Sequence, residues 1–201
     1  MIEPKIIVAA SGNPKKAREL EELLQGTRWQ VRSLAEFPGI TAPEETGTTF
    51  QENATLKALY YAERTGHACL ADDSGLVVDA LNGEPGVNSA YYAGPEGDDS
   101  ANNAKLLAAL EDVPWHLRTA RFVCCAAVAF PGSPDVHIEW GEVEGHIAAA
   151  PYGSNGFGYD PLFVPVGYEE TFGEMDTKIK HSLSHRGRAL ARVKAWLESL
   201  P

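Results

Sequence analysis

Cysteine is scarce in this 201-residue chain: Cys69, Cys124 and Cys125 are the three, and each lies in an apolar run. No CxxC pair is present, so a structural zinc site has no ligand pattern to rest on. Small buried thiols in a reducing compartment are the reading. Basic residues are also short, 17 Lys and Arg against 28 Asp and Glu, for a net charge of −11. That balance argues against nucleic acid and anionic membrane as partners, because phosphate-backbone binding needs a net positive footprint. A small phosphorylated ligand needs only a local basic pocket or a metal. No apolar stretch is long enough to span a bilayer, and the run in MIEPKIIVAASGN is too short for a signal peptide. Repeats, low-complexity tracts and long linkers are missing too. A soluble, cytoplasmic protein is expected, one domain over residues 1–201 whose 44% hydrophobic content can build two small lobes.

What is present has clear punctuation. Residues 6–10 (IIVAA) suit a buried strand ending in the Ser-Gly-Asn turn. In NPKKARELEELLQG, Asn13 suits an N-cap, Pro14 the first helical position and Gly26 the stop. Residues 48–64 predict a second helix, with a capping box from Thr48 and Gln51 or from Thr49 and Glu52. Its apolar face is Phe50, Ala54, Ala58 and Tyr61, while Asn53 and Lys57 share another face at i, i+4. Residues 68–71 and 76–78 are expected as strand segments flanking an Asp-Asp-Ser-Gly turn. A third helix is predicted at 101–110, capped by Ser100 or Asp99, and a last helix at about 184–200. RFVCCAAVAF, the turn PGSPD and VHIEWGEV predict a β-hairpin. Together these predict an α/β fold, a mixed twisted sheet with flanking helices.

The charges fall in unexpected positions. A helix N-terminus favours anions, yet Lys15 and Lys16 sit in the opening turn of the first helix, and His185, Arg186 and Arg188 open the last. A bound phosphate resolves both anomalies; two solvated basic ends are the plainer alternative. Glu44, Glu45, Glu52, Asp72 and Asp73 are hard oxygen donors of the kind Mg²⁺ takes alongside water and phosphate; a solvated turn and a polar surface are the alternatives there. In GSNGFGYDP (153–161) the glycine spacing fits neither a Walker loop nor a dinucleotide fingerprint. Phe157 and Tyr159 offer flat faces on which a base can stack, and Asp160 can accept a hydrogen bond from a base edge. Core aromatics in a turn are the competing reading.

SGNPKK (11–16), PEETGTTFQENATLKA (43–58), ADDSGL (71–76), PGVNSA (85–90), GFGYDP (156–161) and SHRGRAL (184–190) occur in this order. The set resembles the inosine triphosphate pyrophosphatase family, whose bacterial members are called dITP/XTP pyrophosphatases. The resemblance implies two α/β lobes around a central substrate cleft, a homodimer and Mg²⁺ dependence. It implies hydrolysis of the non-standard purine triphosphates dITP, ITP, XTP and dXTP to the monophosphate and pyrophosphate. It also implies roles for particular residues. Ser11, Gly12, Asn13, Pro14, Lys15 and Lys16 would hold phosphates, with Asn53 and Lys57 lining the same region. Glu44 and Asp73 would bind the metal, Asp73 would also activate water beside Asp72, and Ser74 would contact substrate. Phe157, Gly158, Tyr159, Asp160, His185 and Arg186 would recognise the base, and Lys180 matches the family's lysine before SHR.

Two positions depart from the pattern: Tyr91 where the family often has Arg, and Ile179 where an acidic residue is usual before the matched lysine. Two other functions fit the same residues. A pyrophosphatase for modified pyrimidine nucleotides, like the related Maf-type proteins, differs in substrate; a nucleotide-sensing module differs in lacking turnover.

Overall fold

The computed structural model describes residues 4–201, apart from the side chain of His181. Six strands, β1 (Lys5–Ala9), β2 (Trp29–Ser33), β3 (Ala68–Val78), β4 (Thr119–Ala129), β5 (Val136–Ile147) and β6 (Phe163–Pro165), form one sheet in the order β2-β1-β3-β4-β5-β6. β1 runs parallel to both β2 and β3, while β5 and β6 are antiparallel, so the sheet is mixed as expected. Five α-helices accompany it: α1 (Pro14–Leu24), α2 (Phe50–Thr65), α3 (Asp99–Ala109), α4 (Thr177–Leu183) and α5 (His185–Ser199).

Local chemistry explains where the helices begin and end. The Asn13 side chain caps α1 by accepting from Lys15 N, and Pro14 takes the first position. In α2 the capping box uses Thr49 and Glu52, and Gly66 closes the helix in the left-handed conformation at φ 69°. α3 starts earlier than predicted, because Asp98, rather than Ser100 or Asp99, accepts from Ser100 N and Ala101 N. β4 and β5 are neighbours joined by six residues, too few for a parallel crossover, so the predicted hairpin is present.

Asp-Asp-Ser-Gly is not a turn. β3 runs unbroken through it from Ala68 to Val78, which corrects the expectation of two segments. Strand alternation then sends consecutive side chains to opposite faces. Ala68 and Leu70 pack in one apolar cluster with Leu20 and Leu24 of α1 and Val193 and Leu197 of α5. Cys69 and Ala71 pack in another with Ala54, Ala58 and Tyr61 of α2. β4 is sorted the same way, Cys124 into the first cluster and Cys125 into the second. All three cysteines are buried and in no disulfide, and burial pushes the Cys125 thiol up to about 12.

The chain forms two compact units. One comprises the described residues up to Asp73 with Cys124–Trp140 and Ala189–Pro201; the other comprises Ser74–Val123 and Gly141–Arg188. The first holds the two clusters just described. The core of the second gathers Leu76, Leu106, Phe122, Tyr159, Phe163 and Phe172. Among the described residues, no helix is long and apolar enough to cross a membrane.

Candidate active site

Two adjacent carboxylates on one strand are pointed apart by the alternation above, and each meets a lysine from the helix covering its face. Asp72 continues the Ala68–Leu70 row and pairs with Lys16 of α1 at 2.5 Å. Asp73 continues the Cys69–Ala71 row and pairs with Lys57 of α2 at 3.1 Å. Asn53, one turn before Lys57, is 4% exposed and reaches Asp73 Oδ2 through Nδ2 at 3.4 Å. Its Oδ1 accepts from Gly47 N at 2.8 Å, so one side chain ties the loop before α2 to the carboxylate on β3.

Burial raises Asp73 above the ordinary carboxylate range against the pull of Lys57, and nearby Glu45 adds to the rise. Burial draws the Lys57 ammonium down, but the charges of Asp73 and Glu45 outweigh it and leave its pKa raised. Glu45 Oε2 lies 3.1 Å from Lys57 Nζ, so two carboxylates share this one ammonium. Glu44, the predicted metal ligand, is exposed. Nothing in PEETG distinguished the two glutamates; only the position of Lys57 does.

The loop before α1 is internally bonded. Ser11 Oγ accepts from Asn13 N, and Lys15 N, Lys16 N and Ala17 N all donate to Asn13. Positive charge at this end is therefore carried by the side chains of Lys15 and Lys16, with Gly12 and Pro14 exposed beside them.

The second unit carries the remaining predicted residues. Asp160 is 4% exposed, forms an ion pair with Lys180 of α4 and accepts from Phe157 N at 2.7 Å. Burial raises its pKa, and Lys180 opposes the rise. Tyr159 turns inward: it is 3% exposed and donates its hydroxyl to Ser89 O at 2.8 Å. Of the two aromatic faces the sequence offered, only Phe157 is open, at 66% exposure. Lys180 Nζ lies 5.1 Å from that ring's centroid. Gly156 needs to be glycine, since at φ +83° a Cβ would collide with the Asp160 carboxylate.

His185, the first residue of α5, stacks on Phe122 with centroids 4.9 Å apart. Arg186 is 9% exposed, and burial lowers its pKa to about 10, which leaves it charged at neutral pH. Ser74 Oγ is buried without a hydrogen-bond partner, a polar atom that a ligand can satisfy. Two residues the sequence reading missed bear on Gly158: its N–H donates to Asp99 Oδ2 and its carbonyl accepts from Asn103 Nδ2. No local motif announces that contact, which spans more than fifty residues. The departures Tyr91 and Ile179 are both exposed.

Among the described residues, no three His, Cys, Asp or Glu side chains gather into a metal cage. Asp73 and the glutamates of the loop before α2 present carboxylate oxygens, the donor type a hard divalent cation takes alongside water and phosphates. Two carboxylates sharing one lysine also leave the Asp73 region short of positive charge.

The sequence profile of the Ham1 family matches residues 7–196. A protein of Desulforamulus reducens named dITP/XTP pyrophosphatase is 52% identical over 96% of each chain. One of the same name from Geobacter sulfurreducens is 48% identical over 95% of this chain and 96% of its own. Among solved structures, a HAM1 protein from Coxiella burnetii superposes with a TM-score of 0.92 at 41% identity, covering 98% of this chain and all of that one. A nucleoside-triphosphatase, also called dITP/XTP pyrophosphatase, from Mycobacterium abscessus gives a TM-score of 0.80 at 46% identity over 96% of this chain and 99% of its own.

Proposed function

The chain belongs to the Ham1 family, and from that premise we propose that it cleaves dITP, ITP, XTP and dXTP to the nucleoside monophosphate and pyrophosphate, removing deaminated purines from the nucleotide pool. It is a nucleoside triphosphate pyrophosphatase by family. The observation that carries the assignment is the middle of β3, where Asp72 and Asp73 diverge to Lys16 and Lys57. A largely buried carboxylate paired with a lysine has use as a base, whereas a purely structural strand would carry apolar residues there.

In the proposed reaction, a water oxygen bonds to the α-phosphorus as the bond from that phosphorus to the bridging oxygen breaks, and pyrophosphate leaves. Asp73 takes the water proton as general base. Lys57 holds Asp73 in place through the ion pair and stabilises charge on the phosphates. Asp72 holds Lys16 at the start of α1 through its own ion pair, and Lys15 beside it adds a second cation for the phosphates. Asp73 and Glu44 or Glu45 are the side chains that would hold Mg²⁺, which supplies charge neutralisation on the triphosphate. Ser11, Gly12 and Asn13 let the backbone approach the phosphates, and the Ser74 hydroxyl takes a substrate oxygen.

The second unit supplies the choice of base. Phe157 stacks on the purine, and the Arg186 and His185 donors bond a 6-oxo group. Adenine sets a 6-amino donor against those donors, and leaving buried polar groups unpaired is a strong means of rejection. A homodimer agrees with the apolar side chains exposed on this unit; light scattering should give twice the 21.7 kDa of one chain.

Product analysis tests the whole reading. Purified protein with Mg²⁺ and, separately, ITP, XTP, dITP, ATP, GTP and dTTP should release pyrophosphate and monophosphate from the first three and little from the others. Orthophosphate would mean attack at the γ-phosphorus. Turnover of dTTP alone would point to a pyrimidine enzyme, and tight binding without product to a sensing module.

A further inference from the structure

The peptide groups around Phe157 are bonded more fully than an exposed loop requires. Phe157 N donates to Asp160 Oδ2 at 2.7 Å, and Phe157 O accepts from Asp160 N at 3.3 Å. At the next residue, Gly158 N donates to Asp99 Oδ2 at 2.7 Å and Gly158 O accepts from Asn103 Nδ2 at 3.0 Å. All four backbone polar groups of this dipeptide are therefore satisfied by side-chain or backbone atoms of the same unit, while the Phe157 ring stays 66% exposed. Asp99 and Asn103 are one turn apart on the first half of α3, so they face the loop together. Asp98 caps that helix, which leaves Asp99 free of capping duty. Ordering an exposed loop costs backbone entropy of roughly 1–2 kcal/mol per residue, and a clamp that pins the two successive peptide groups flanking Gly158 meets that cost before any ligand arrives.

We propose that Asp99 and Asn103 are positioning residues for base recognition: the two side chains of α3 hold the peptide groups on either side of the Gly158 Cα and so keep the Phe157 ring ready to stack on the purine. The proposal rests on the reading of Phe157 as the stacking face. Neither α3 side chain touches substrate; each acts through the loop. Because stacking is the same in the ground state and the transition state, loosening the clamp weakens binding and leaves the chemical step alone.

Steady-state kinetics on ITP with the full-length chain, alongside thermal melting, provide the test. Asp99→Ala and Asn103→Ala should each raise KM by about tenfold, the worth of a charge-assisted or well-formed hydrogen bond, with kcat within about twofold. Asp99→Asn, which keeps an acceptor for Gly158 N–H, should recover most of the lost affinity. Asn103→Asp, which sets a carboxylate against the Gly158 carbonyl, should behave like Asn103→Ala. In a Phe157→Ala background, adding Asp99→Ala should raise KM no further, since the ring it positions is gone. Unchanged KM in the α3 variants overturns the clamp while leaving stacking intact. So does a fall in kcat that adds fully to Phe157→Ala, because that marks general damage. If Phe157→Ala alone leaves KM for ITP unchanged, the stacking reading fails, and the clamp fails with it.

Discussion

Both units of this protein pair charge with charge, Asp160 with Lys180 in the second as well as the lysines of the first, but they differ in what they expose. In the first, charge is met by charge: Lys16 with Asp72, Lys57 with Asp73 and Glu45. Among the described residues, that unit exposes none of the molecule's large exposed hydrophobic side chains. In the second, from Tyr91 to Ile179, all of them are found, and the loop around Phe157 is held by hydrogen bonds to its backbone. Ion pairs suit a triphosphate, which is the same on every nucleotide. A pinned aromatic face and directed donors suit a base, which differs. On the proposed reading, turnover belongs to the first unit and selectivity to the second.

The sharpest way to break that division is at Asp73. Asp73→Asn should lower kcat at least ~10²-fold on ITP and XTP alike, as for loss of a general base, with a circular dichroism spectrum like the parent's. A substrate-dependent loss would mean that the first unit also reads the base. Lys16→Ala comes next: KM should rise about tenfold for every triphosphate, from loss of a charge-assisted contact. An unchanged KM would put Lys16 outside the phosphate site. In the second unit, Gly156→Ala forces a β-carbon toward the Asp160 carboxylate and to 2.7 Å from Lys180 Nζ at a φ of +83°. Strain of about 1–3 kcal/mol should lower the melting temperature and raise KM for ITP, while competitive inhibition by inorganic pyrophosphate stays the same. Weaker pyrophosphate inhibition would blur the two roles.

The smallest effect concerns how α2 is held. Glu52 Oε2 accepts from Thr48 N, Thr48 Oγ1 and Thr49 N. The Thr48 backbone bond leads the contacts that keep its pKa below the usual glutamate value. A carboxylate lowered in the folded state stabilises above its unfolded pKa, and that contribution disappears as pH falls through the folded value. Glu52→Gln should therefore melt below the parent at pH 7 and match it once the pH has fallen below the lowered folded-state value. A gap that persisted in acid would mean that the charge contributes nothing to the cap.

Much of the scaffold was legible because its signals are local. Asn13 and Pro14 started α1, Thr49 with Glu52 started α2, and PGSPD joined β4 to β5. The Asp-Asp-Ser-Gly turn was misread because adjacent carboxylates normally mark water. Here a lysine on each covering helix lets the strand continue beneath them. β2, β6 and α4 gave little warning, being five, three and seven residues long, too short for periodicity to register.

By itself the sequence determined the caps, the period-two and period-3.6 patterns and the residue types of the site, because each depends on neighbours within a few positions. Only the tertiary structure decided the partners. Lys16 lies 56 residues from Asp72, and Gly158 lies 59 from Asp99. It chose Glu45 over Glu44 at Lys57, turned Tyr159 into the core and left Phe157 outside. Those choices follow from which helix covers which face of the sheet, a packing arrangement that no short stretch of chain encodes.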